Sequence, residues 1–489
     1  MCQTLAEGGR RCADASVYSH QMRNMQAKKQ YYARQVAQAT SEAEKKKAEA
    51  KLEKAYAAVV DFAYAHEWHA TPNILPYEMP VTEEIEKVLT RLRKDNLEPY
   101  IVGGSVRDSF LGLGSKDMDI EVYGAPVEDV IRSLRKLGKV DEVGKAFGVL
   151  KIRLGDEDID VSLPRTDSKI GEGHRGFEIA VDPFMKPHKA ALRRDFTINA
   201  MLYDHNRKVL LDPYNGTEDL KSKTLRHVSD AFDEDPLRVL RGIQMASRFG
   251  FDIHPDTIIK SRTLKNEFND LATERVKMEF NKMFLKGKDS PKAFKALKDT
   301  EWDENFPGLK AVNNPELWKT LERVDNFKAD DPELKISYMS ALCVDKMNTE
   351  DAENFLQKTI TRDDTRATAR RLHVIKPPKE QGKTEMRRWA QEIGISTSIR
   401  QWVQLQEFKG NSVEGKKVYA KAEALGILDK PEPDFLLGRD ILEQFPNAKP
   451  GKWMGQTLAK ARAKQEEDVF RSKESAMDWL KNNLPEELK

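Results

Sequence analysis

One stretch constrains the fold of this 489-residue chain more than any other: YIVGGSVRDSFLGLGSKDMDIEV, residues 100–122. After the apolar end of a strand, Gly103 and Gly104 allow a tight turn whose backbone N–H groups reach an anion without interference from a Cβ. Ser105 is predicted to be a helix N-cap, and Arg107 lies in the first turn of a short helix. Backbone donors, the positive end of a helix and a guanidinium therefore converge on one predicted anion site.

The second half of this stretch alternates apolar and polar residues with a period of two, as a half-buried strand does. This period places Asp117 and Asp119 together on the polar face. Two carboxylates so arranged suit a pair of Mg²⁺ ions, the arrangement used for in-line displacement at phosphorus. A lone D-x-D pair more often marks a solvated strand face, but this one follows a strand, a glycine turn and an arginine-bearing helix. We therefore predict that both aspartates are catalytic metal ligands.

A β-hairpin is predicted over residues 149–163, with its turn at Gly155 and Asp156. On its second strand Asp158 and Asp160 share one face, while apolar residues occupy the other. A further carboxylate is thereby brought toward the edge that carries the two strand aspartates. We predict that Asp160 is the third catalytic carboxylate, with Asp158 as the alternative for the same role.

Two later segments combine arginines with an apolar element. RRDFTINA begins with Arg193 and Arg194, whose adjacent guanidiniums suit a triphosphate. In EDPLRVLR the proline suits the first position of a helix, and Asp235, Arg238 and Arg241 recur every three residues on one face. A plain helix N-cap is the alternative role for the aspartate.

The composition argues against a uniformly basic nucleic-acid-binding protein. Charged residues make up 33% of the chain but leave a net charge of only +2, so RNA binding requires locally basic surfaces.

Neither an apolar run long enough to span a bilayer nor a signal sequence is present, and we expect a soluble, unexported protein without a membrane partner. Three cysteines are too few for a disulfide framework and favour the reducing cytoplasm. The oligomeric state is not determined by the sequence.

The four motifs GGSVRD, KDMDIEV, RRDFTINA and EDPLRVLR resemble, in the same order, those of the class II tRNA nucleotidyltransferase and bacterial poly(A) polymerase superfamily. The resemblance implies an α+β fold, with a small nucleotidyltransferase β-sheet head domain and flanking helices followed by an all-helical neck, body and tail. It also implies a role for each site residue: nucleotide binding at Gly103, Gly104, Ser105, Arg107 and Arg194, Mg²⁺ binding at Asp117 and Asp119, and reading of the incoming base by Asp235, Arg238 and Arg241. The chain departs from the family at Gln244, where a further arginine is common.

The C-terminal motifs LGRDIL, KPGKWMG and AMDWL resemble the tail region of CCA-adding enzymes, whereas poly(A) polymerases typically end in a basic segment. The resemblance thus implies transfer of CMP and AMP from CTP and ATP to the 3′ end of tRNA, with Mg²⁺ as cofactor and the acceptor arm as the bound RNA. Two alternatives remain open. One is a poly(A) polymerase or a partial CC- or A-adding enzyme, and the other is a catalytically silent RNA-binding protein with this fold.

Base selection is predicted from hydrogen-bond complementarity. Cytosine and adenine each present an amino donor beside an unprotonated ring nitrogen, whereas uracil and guanine present a carbonyl beside a ring N–H. A carboxylate accepts from the amino group and a guanidinium donates to the ring nitrogen. Asp235 and Arg238 supply this pair of groups.

Five domains are predicted along the chain. Residues 1–70 contain no proline and are rich in helix-forming residues, which predicts a helical hairpin of unknown role, with a capping box at Ser41 and Glu44 and a proline-marked linker after it. A locally basic helical stretch, residues 361–389, offers a surface for RNA phosphates or a solvated helix face. The predicted domains are the N-terminal hairpin 1–72, the nucleotidyltransferase head 81–225, the neck 226–290, the body 291–430 and the tRNA-binding tail 431–489.

Overall fold

The computed structural model describes residues 41, 43–48, 50, 51, 73–114, 118–145, 148–169, 177–394, 396–447 and 449–483. The chain forms two units, one of residues 1–242 and 251–272 and the other of residues 243–250 and 273–489. In the described part of the chain every strand belongs to the first unit, and the second unit is helical. The predicted α+β class is confirmed.

The strands of the described chain build one large sheet and two small ones. They are, in chain order, β1 Asn73–Pro76, β2 Glu98–Val102, β3 Asp119–Tyr123, β4 Val140–Asp141, β5 Val149–Leu154, β6 Glu157–Ser162, β7 Arg165–Lys169, β8 Phe177–Val181, β9 Leu202–Asp204, β10 Val209–Asp212, β11 Thr224–Leu225 and β12 Asp252–Ile253. The large sheet has the order β1-β10-β9-β2-β3-β6-β5-β4, while β7 pairs with β8 and β11 with β12. Within the large sheet β3 and β6 run parallel, and its other described pairs are antiparallel.

The helices that follow residue 73 are numbered in chain order. Up to residue 272 they are α1 Glu83–Lys94, α2 Gly104–Phe110, α3 Val127–Leu134, α4 Pro187–Ala191, α5 Gly216–Lys221, α6 Leu237–Phe249 and α7 Pro255–Thr263. The rest are α8 Thr273–Lys286, α9 Ser290–Asp299, α10 Leu309–Val312, α11 Pro315–Asp325, α12 Pro332–Val344, α13 Thr349–Thr359, α14 Asp363–Val374, α15 Lys383–Ile393, α16 Ile399–Lys409, α17 Ser412–Ala424, α18 Gly438–Gln444, α19 Lys452–Glu466 and α20 Lys473–Asn482. None of the described helices is both long and apolar enough to cross a bilayer.

Local sequence explains where α1 begins and which face it buries. The Thr82 hydroxyl oxygen accepts a hydrogen bond from the Ile85 N–H, which caps the first turn. Ile85, Val88, Leu89 and Leu92 are buried, and their spacing of three or four residues places them on one face. Burying each such side chain contributes about 1.5–3 kcal/mol, so this face anchors α1 in the core of the first unit.

The predicted hairpin is confirmed. β5 and β6 pair antiparallel from Val149 opposite Ser162 to Leu154 opposite Glu157. Gly155 in the turn has φ +56°, a conformation that L side chains rarely adopt.

The proline-marked linker is partly a strand, contrary to the sequence prediction. Asn73–Pro76 forms β1, which pairs with β10 at the edge of the large sheet. Proline lacks an N–H donor, but an edge strand pairs on one side only and tolerates it. Pro76 stands at the end of this strand, opposite Val209.

The predicted N-terminal hairpin falls almost wholly outside the described residues. Within the described part, residues 43–48 are helical. The Glu44 N–H donates to the Ser41 hydroxyl oxygen at 3.3 Å, and the Lys45 N–H donates to the Ser41 carbonyl oxygen at 2.9 Å. Ser41 therefore caps a helix at the predicted position.

The three C-terminal motifs that resemble a CCA-adding tail pack in one hydrophobic cluster of the second unit. Its buried members include Ile441 from LGRDIL and Ala476 and Leu480 from AMDWL. Trp453 and Met454 from KPGKWMG pack against them. Core packing thus explains the apolar residues of all three motifs.

The basic stretch 361–389 is largely neutralised by ion pairs within the second unit. The pairs join Arg362 to Asp364, Arg366 to Asp363, Arg370 to Glu353, Arg387 to Asp468 and Arg388 to Glu466. Acidic neighbours offset most of the positive charge that would attract RNA phosphates. The structure therefore favours a charge-balanced helical surface over a phosphate-binding one.

Candidate active site

Two carboxylates meet at the start of β3. Asp119, the first residue of this strand, is in direct register with Asp160 of the parallel neighbour β6. Because in-register residues on adjacent strands project to the same face of a sheet, the two carboxylates share one face. Asp117, the other member of the D-x-D pair, lies outside the described residues. The topology therefore brings Asp160 to the position that the sequence analysis predicted for it.

The alternative carboxylate, Asp158, lies two residues before Asp160 on β6. It is in register with Arg153 of β5, and its Oδ1 is 3.9 Å from the Arg153 Nε. The described pairing of β6 with β3 begins only at Asp160. Lys151 Nζ lies 3.1 Å from Asp160 Oδ1, and this hydrogen bond raises the pKa of Lys151. A cation bound at Asp160 would therefore compete with a lysine that stays charged.

Gly103, in the motif GGSVRD, lies next to Arg194 of the motif RRDFTINA. It has φ +76°, and a Cβ added to it would lie 2.9 Å from Arg194 NH1 and 3.7 Å from Asp119 Oδ2. A side chain at Gly103 would thus collide with the guanidinium, whereas glycine leaves the backbone open to it. Gly103, Asp119 and Arg194 therefore lie close together.

Ser105 does not cap α2, and that prediction is wrong. The helix begins at Gly104 with Gly103 as its N-cap, so Ser105 already lies inside the first turn. Its hydroxyl donates to the Val102 carbonyl oxygen at 3.1 Å, and its side chain is buried. The cause is the left-handed turn at Gly103, which starts the helix earlier than a serine cap would.

Arg107 lies in α2, but in its last turn and not in the predicted first turn, because the helix begins at Gly104. Its side chain is buried among protein acceptors. Its Nε donates to Asp108 Oδ1 at 2.8 Å, and its NH1 donates to Asn199 Oδ1 at 2.5 Å. In this structure the guanidinium thus supports the glycine turn from within the fold. Direct contact of Arg107 with a nucleotide stays a prediction.

A buried chain of hydrogen bonds extends from Arg107 to the fourth motif. Asn199 Nδ2 donates to Asp195 Oδ1 at 2.9 Å, and Arg241 Nε donates to Asp195 Oδ2 at 2.9 Å. Burial opposes ionisation of Asp195, but Arg241 and Asn199 outweigh it and lower the pKa of this carboxyl. The sequence analysis did not single out Asp195 or Asn199, although both lie inside RRDFTINA.

Glu121 is a further residue of the site that sequence reasoning missed. It lies two residues after Asp119 on β3 and is only 2% exposed. Arg193 NH2 donates to its Oε1 at 3.1 Å, and Arg194 NH2 lies 3.6 Å from its Oε2. The Tyr123 hydroxyl donates to Oε2 at 2.7 Å. Glu121 therefore positions Arg193 and Arg194, the two arginines predicted to suit a triphosphate, beside the sheet.

The ionisation of Glu121 gives a prediction for stability against pH. Burial opposes its ionisation, but Arg194 and Arg193 outweigh burial, so the pKa of Glu121 lies below its usual value of 4.5. The stabilisation is therefore fully present above the unfolded-state pKa and is lost as pH falls through the lower folded-state pKa. Glu121→Gln should lower stability at pH 7 by about 3 kcal/mol, the low end for breaking a buried ion pair, because it leaves two partly buried guanidiniums without a carboxylate. The variant should also lose less stability than the wild type on acidification.

The midpoint of urea unfolding, measured from pH 7 to pH 3, tests this prediction. Glu98→Gln is the matched control, because Glu98 lies on the neighbouring strand β2 but is exposed. The control should follow the wild-type curve. If the urea midpoints of wild type and Glu121→Gln fall equally as the pH is lowered, the ionisation of Glu121 does not stabilise the fold.

The fourth motif places its three predicted base-reading residues around the start of α6. Asp235 lies before the helix in an extended conformation, and its Oδ1 accepts from the Leu237 N–H at 3.2 Å. Arg238 NH2 donates to the Arg193 carbonyl oxygen at 2.7 Å, and its NH1 donates to the Ala231 carbonyl oxygen. Asp235 therefore has the capping contact, and Arg238 is oriented by two backbone carbonyls.

Comparison with known families identifies the sheet domain. The family described as "Poly A polymerase head domain" matches residues 99–226, and the one described as "Probable RNA and SrmB- binding site of polymerase A" matches residues 250–312. The first match contains three of the four motifs.

Residues 99–226 are thus similar to the head domain of poly(A) polymerases. Among curated relatives, the multifunctional CCA protein of Pseudoalteromonas atlantica is 37% identical over 232 residues, which are 45% of this chain and 55% of the relative. The CCA-adding enzyme of Coxiella burnetii is 40% identical over 203 residues, 41% of this chain and 51% of the relative. The chain thus spans about half the length of the curated relatives it matches.

Solved structures of CCA-adding enzymes share the fold over most of the chain. The CCA-adding enzyme of Bacillus stearothermophilus, solved with CTP, has a TM-score of 0.60 at 20% identity and covers 82% of this chain and 98% of that one. The Thermotoga maritima CCA-adding enzyme complexed with tRNA has a TM-score of 0.53 at 21% identity, covering 82% and 96%. At these identities the likeness establishes the fold.

Proposed function

We propose that this chain adds CMP and AMP to the 3′ end of tRNA from CTP and ATP, with release of pyrophosphate. The observation that carries the proposal is the shared face of Asp119 and Asp160 beside the Gly103 turn and Arg194. Carboxylates for a metal, an open backbone for a triphosphate and a guanidinium for its charge are the groups that nucleotidyl transfer needs. The curated CCA-adding relatives and the tail-like C-terminal motifs support tRNA as the acceptor.

The residues present fit Mg²⁺, the cofactor that we propose. Mg²⁺ prefers oxygen ligands and is often held by one or two carboxylates plus substrate phosphates. Asp119 and Asp160 supply two carboxylates, and Asp117 is proposed to supply another. When bound, the ion lowers the pKa of the attacking hydroxyl and offsets charge on the leaving pyrophosphate.

The chain's own groups bind and orient the reactants. The backbone at Gly103 and Gly104 accommodates the triphosphate, and Arg194 balances its charge while Glu121 fixes the guanidinium in place. The terminal 3′-hydroxyl of the RNA attacks the α-phosphorus, a new oxygen–phosphorus bond forms, and the bond to pyrophosphate breaks. The reaction is proposed to take place in the cytoplasm, which the low cysteine content of the chain favours.

Incorporation assays on defined tRNA transcripts test the proposed function. Transcripts that lack the whole CCA end, or only its terminal adenosine, are offered each nucleotide separately with Mg²⁺. We expect CTP to extend the first transcript and ATP to extend only the second. A homopolymeric RNA of equal length is the control and should not be extended.

The other outcomes separate the alternatives. Repeated AMP addition to every RNA would make the chain a poly(A) polymerase, and extension of only one transcript would make it a partial enzyme. Absence of incorporation with any RNA would leave a silent RNA-binding protein of this fold.

A further inference from the structure

An exposed aromatic ring stands on a tightly held turn of the first unit. The side chain of Phe184 is 65% exposed. Within the described part of the chain it takes part in no aromatic pair. A single exposed apolar side chain is common on protein surfaces, so this ring gains significance only from its surroundings.

The backbone around Phe184 is fixed on both sides. The Gly124 N–H donates to the Pro183 carbonyl oxygen at 2.8 Å, and the Met185 N–H donates to the Asp182 carbonyl oxygen at 3.1 Å. The Phe184 N–H itself donates to Asp182 Oδ1 at 3.1 Å. Met185 is buried in the core cluster that lies beneath the turn. The ring is therefore held in solvent by a preorganised turn.

Phe184 borders a cleft of about 670 Å³, a volume typical of ligand sites. Four basic residues line this cleft against two carboxylates, so its charge is positive. Lys189 is exposed and makes no ion pair within the described residues. The basic residues are Arg165, Lys186, Lys189 and Arg193.

The cleft adjoins the proposed site of transfer. Arg193 lines it and also donates to Glu121, and the next residue, Arg194, lies beside Gly103. Ala231 lines it as well, and Arg238 donates to the carbonyl oxygens of both Ala231 and Arg193. A strand of RNA in the cleft would therefore end near the groups proposed to bind and read the incoming nucleotide.

We propose that this cleft holds the single-stranded 3′ end of the acceptor RNA, with one base stacked on Phe184 and phosphates near Lys189. An aromatic platform beside dispersed cations is the combination that binds single-stranded RNA. A free nucleotide is a poorer match, since its triphosphate is already accommodated at the Gly103 turn. The inference rests on the proposed function and adds to it the subsite for the acceptor strand.

Binding of two RNA minihelices in the absence of nucleotide tests the subsite, one with a single-stranded 3′ overhang and one blunt. Phe184→Ala should weaken binding of the overhang RNA by about tenfold or more, given typical base–aromatic stacking, and Phe184→Trp should restore it. Binding of the blunt RNA should be the same for all variants. Ile259→Ala is the matched control, because that side chain is 62% exposed in the same unit and does not line the cleft.

Two further measurements complete the test. Lys189→Ala should reduce the salt dependence of overhang binding by about 0.7 in log–log slope, as expected for one phosphate contact on a single strand. The affinity for CTP should be unchanged in Phe184→Ala. A loss of CTP affinity, an equal loss on both RNAs, or no loss on either would overturn the proposal.

The proposed function is decided separately by incorporation of CMP in the same wild-type preparation. Normal incorporation with unchanged overhang binding in Phe184→Ala would overturn only the subsite. Failed incorporation with an overhang preference that depends on Phe184 would overturn only the activity.

Discussion

Replacing Asp119 by alanine is expected to abolish nucleotide transfer, with a fall in kcat of about a thousandfold or more. The variant loses a carboxylate that we assign to the metal, and metal ions supply several kcal/mol of transition-state stabilisation, which is about three decades in rate. The fold should survive, because Asp119 is exposed at the end of its strand while Ile120 and Val122 fill the core. Single-turnover incorporation of CMP into tRNA measures the rate, and thermal unfolding checks the fold.

The structure offers a matched control for this substitution on the neighbouring strand. Asp160→Ala should also slow transfer severely, because Asp160 is in register with Asp119. Asp158→Ala should leave transfer nearly unchanged, since Asp158 is in register with Arg153 on the other side. Substantial turnover by Asp119→Ala would contradict the metal assignment, and a larger loss in Asp158→Ala than in Asp160→Ala would reverse the choice of carboxylate. The same loss of transfer is predicted for Asp117→Ala from the sequence alone.

Features set by local sequence were predicted well. The strand before Gly103, the short helix after it, the strand that carries Asp119 and the β5–β6 hairpin each follow from residues within a few positions of one another. Alternation also predicted that Ile120 and Val122 face the core. For these elements period and turn residues are sufficient, because the determining contacts are short-range.

Features that depend on distant partners were missed. Alternation places Glu121 on the polar face of β3, yet it is buried, because Arg193 reaches it from 72 positions along the chain. Arg107 was predicted to face an anion, but Asn199, 92 positions away, accepts from its guanidinium. Each of these buried charges is stabilised by a partner that a single sequence does not locate. The polar network behind the glycine turn thus became visible only in the structure.

Replacing Asp235 by asparagine should separate base reading from helix capping. Asparagine caps a helix about as well as aspartate, so the contact between residue 235 and the Leu237 N–H should persist and stability should change little. The side chain changes from an acceptor to a group that also donates, however, and would then face the amino group of cytosine or adenine with a donor. Discrimination of CTP and ATP against UTP and GTP should fall by about ten- to a hundredfold, since an unmatched buried polar group costs about 1–3 kcal/mol.

Arg238 gives an independent test of the same reading, because its guanidinium is oriented by the carbonyl oxygens of Ala231 and Arg193. These contacts take up one N–H on each terminal nitrogen, and a guanidinium has five N–H groups, so donors remain for a base. Arg238→Lys keeps the charge but loses the planar fork, and it should impair the four-way preference in the same direction as Asp235→Asn. Single-turnover incorporation of all four nucleotides on one tRNA that lacks its terminal residues gives the preference for the wild type and both variants. If the preference is unchanged in both variants, Asp235 only caps α6, and Arg238 only links the segments that contain Ala231 and Arg193. Base selection would then depend on other residues.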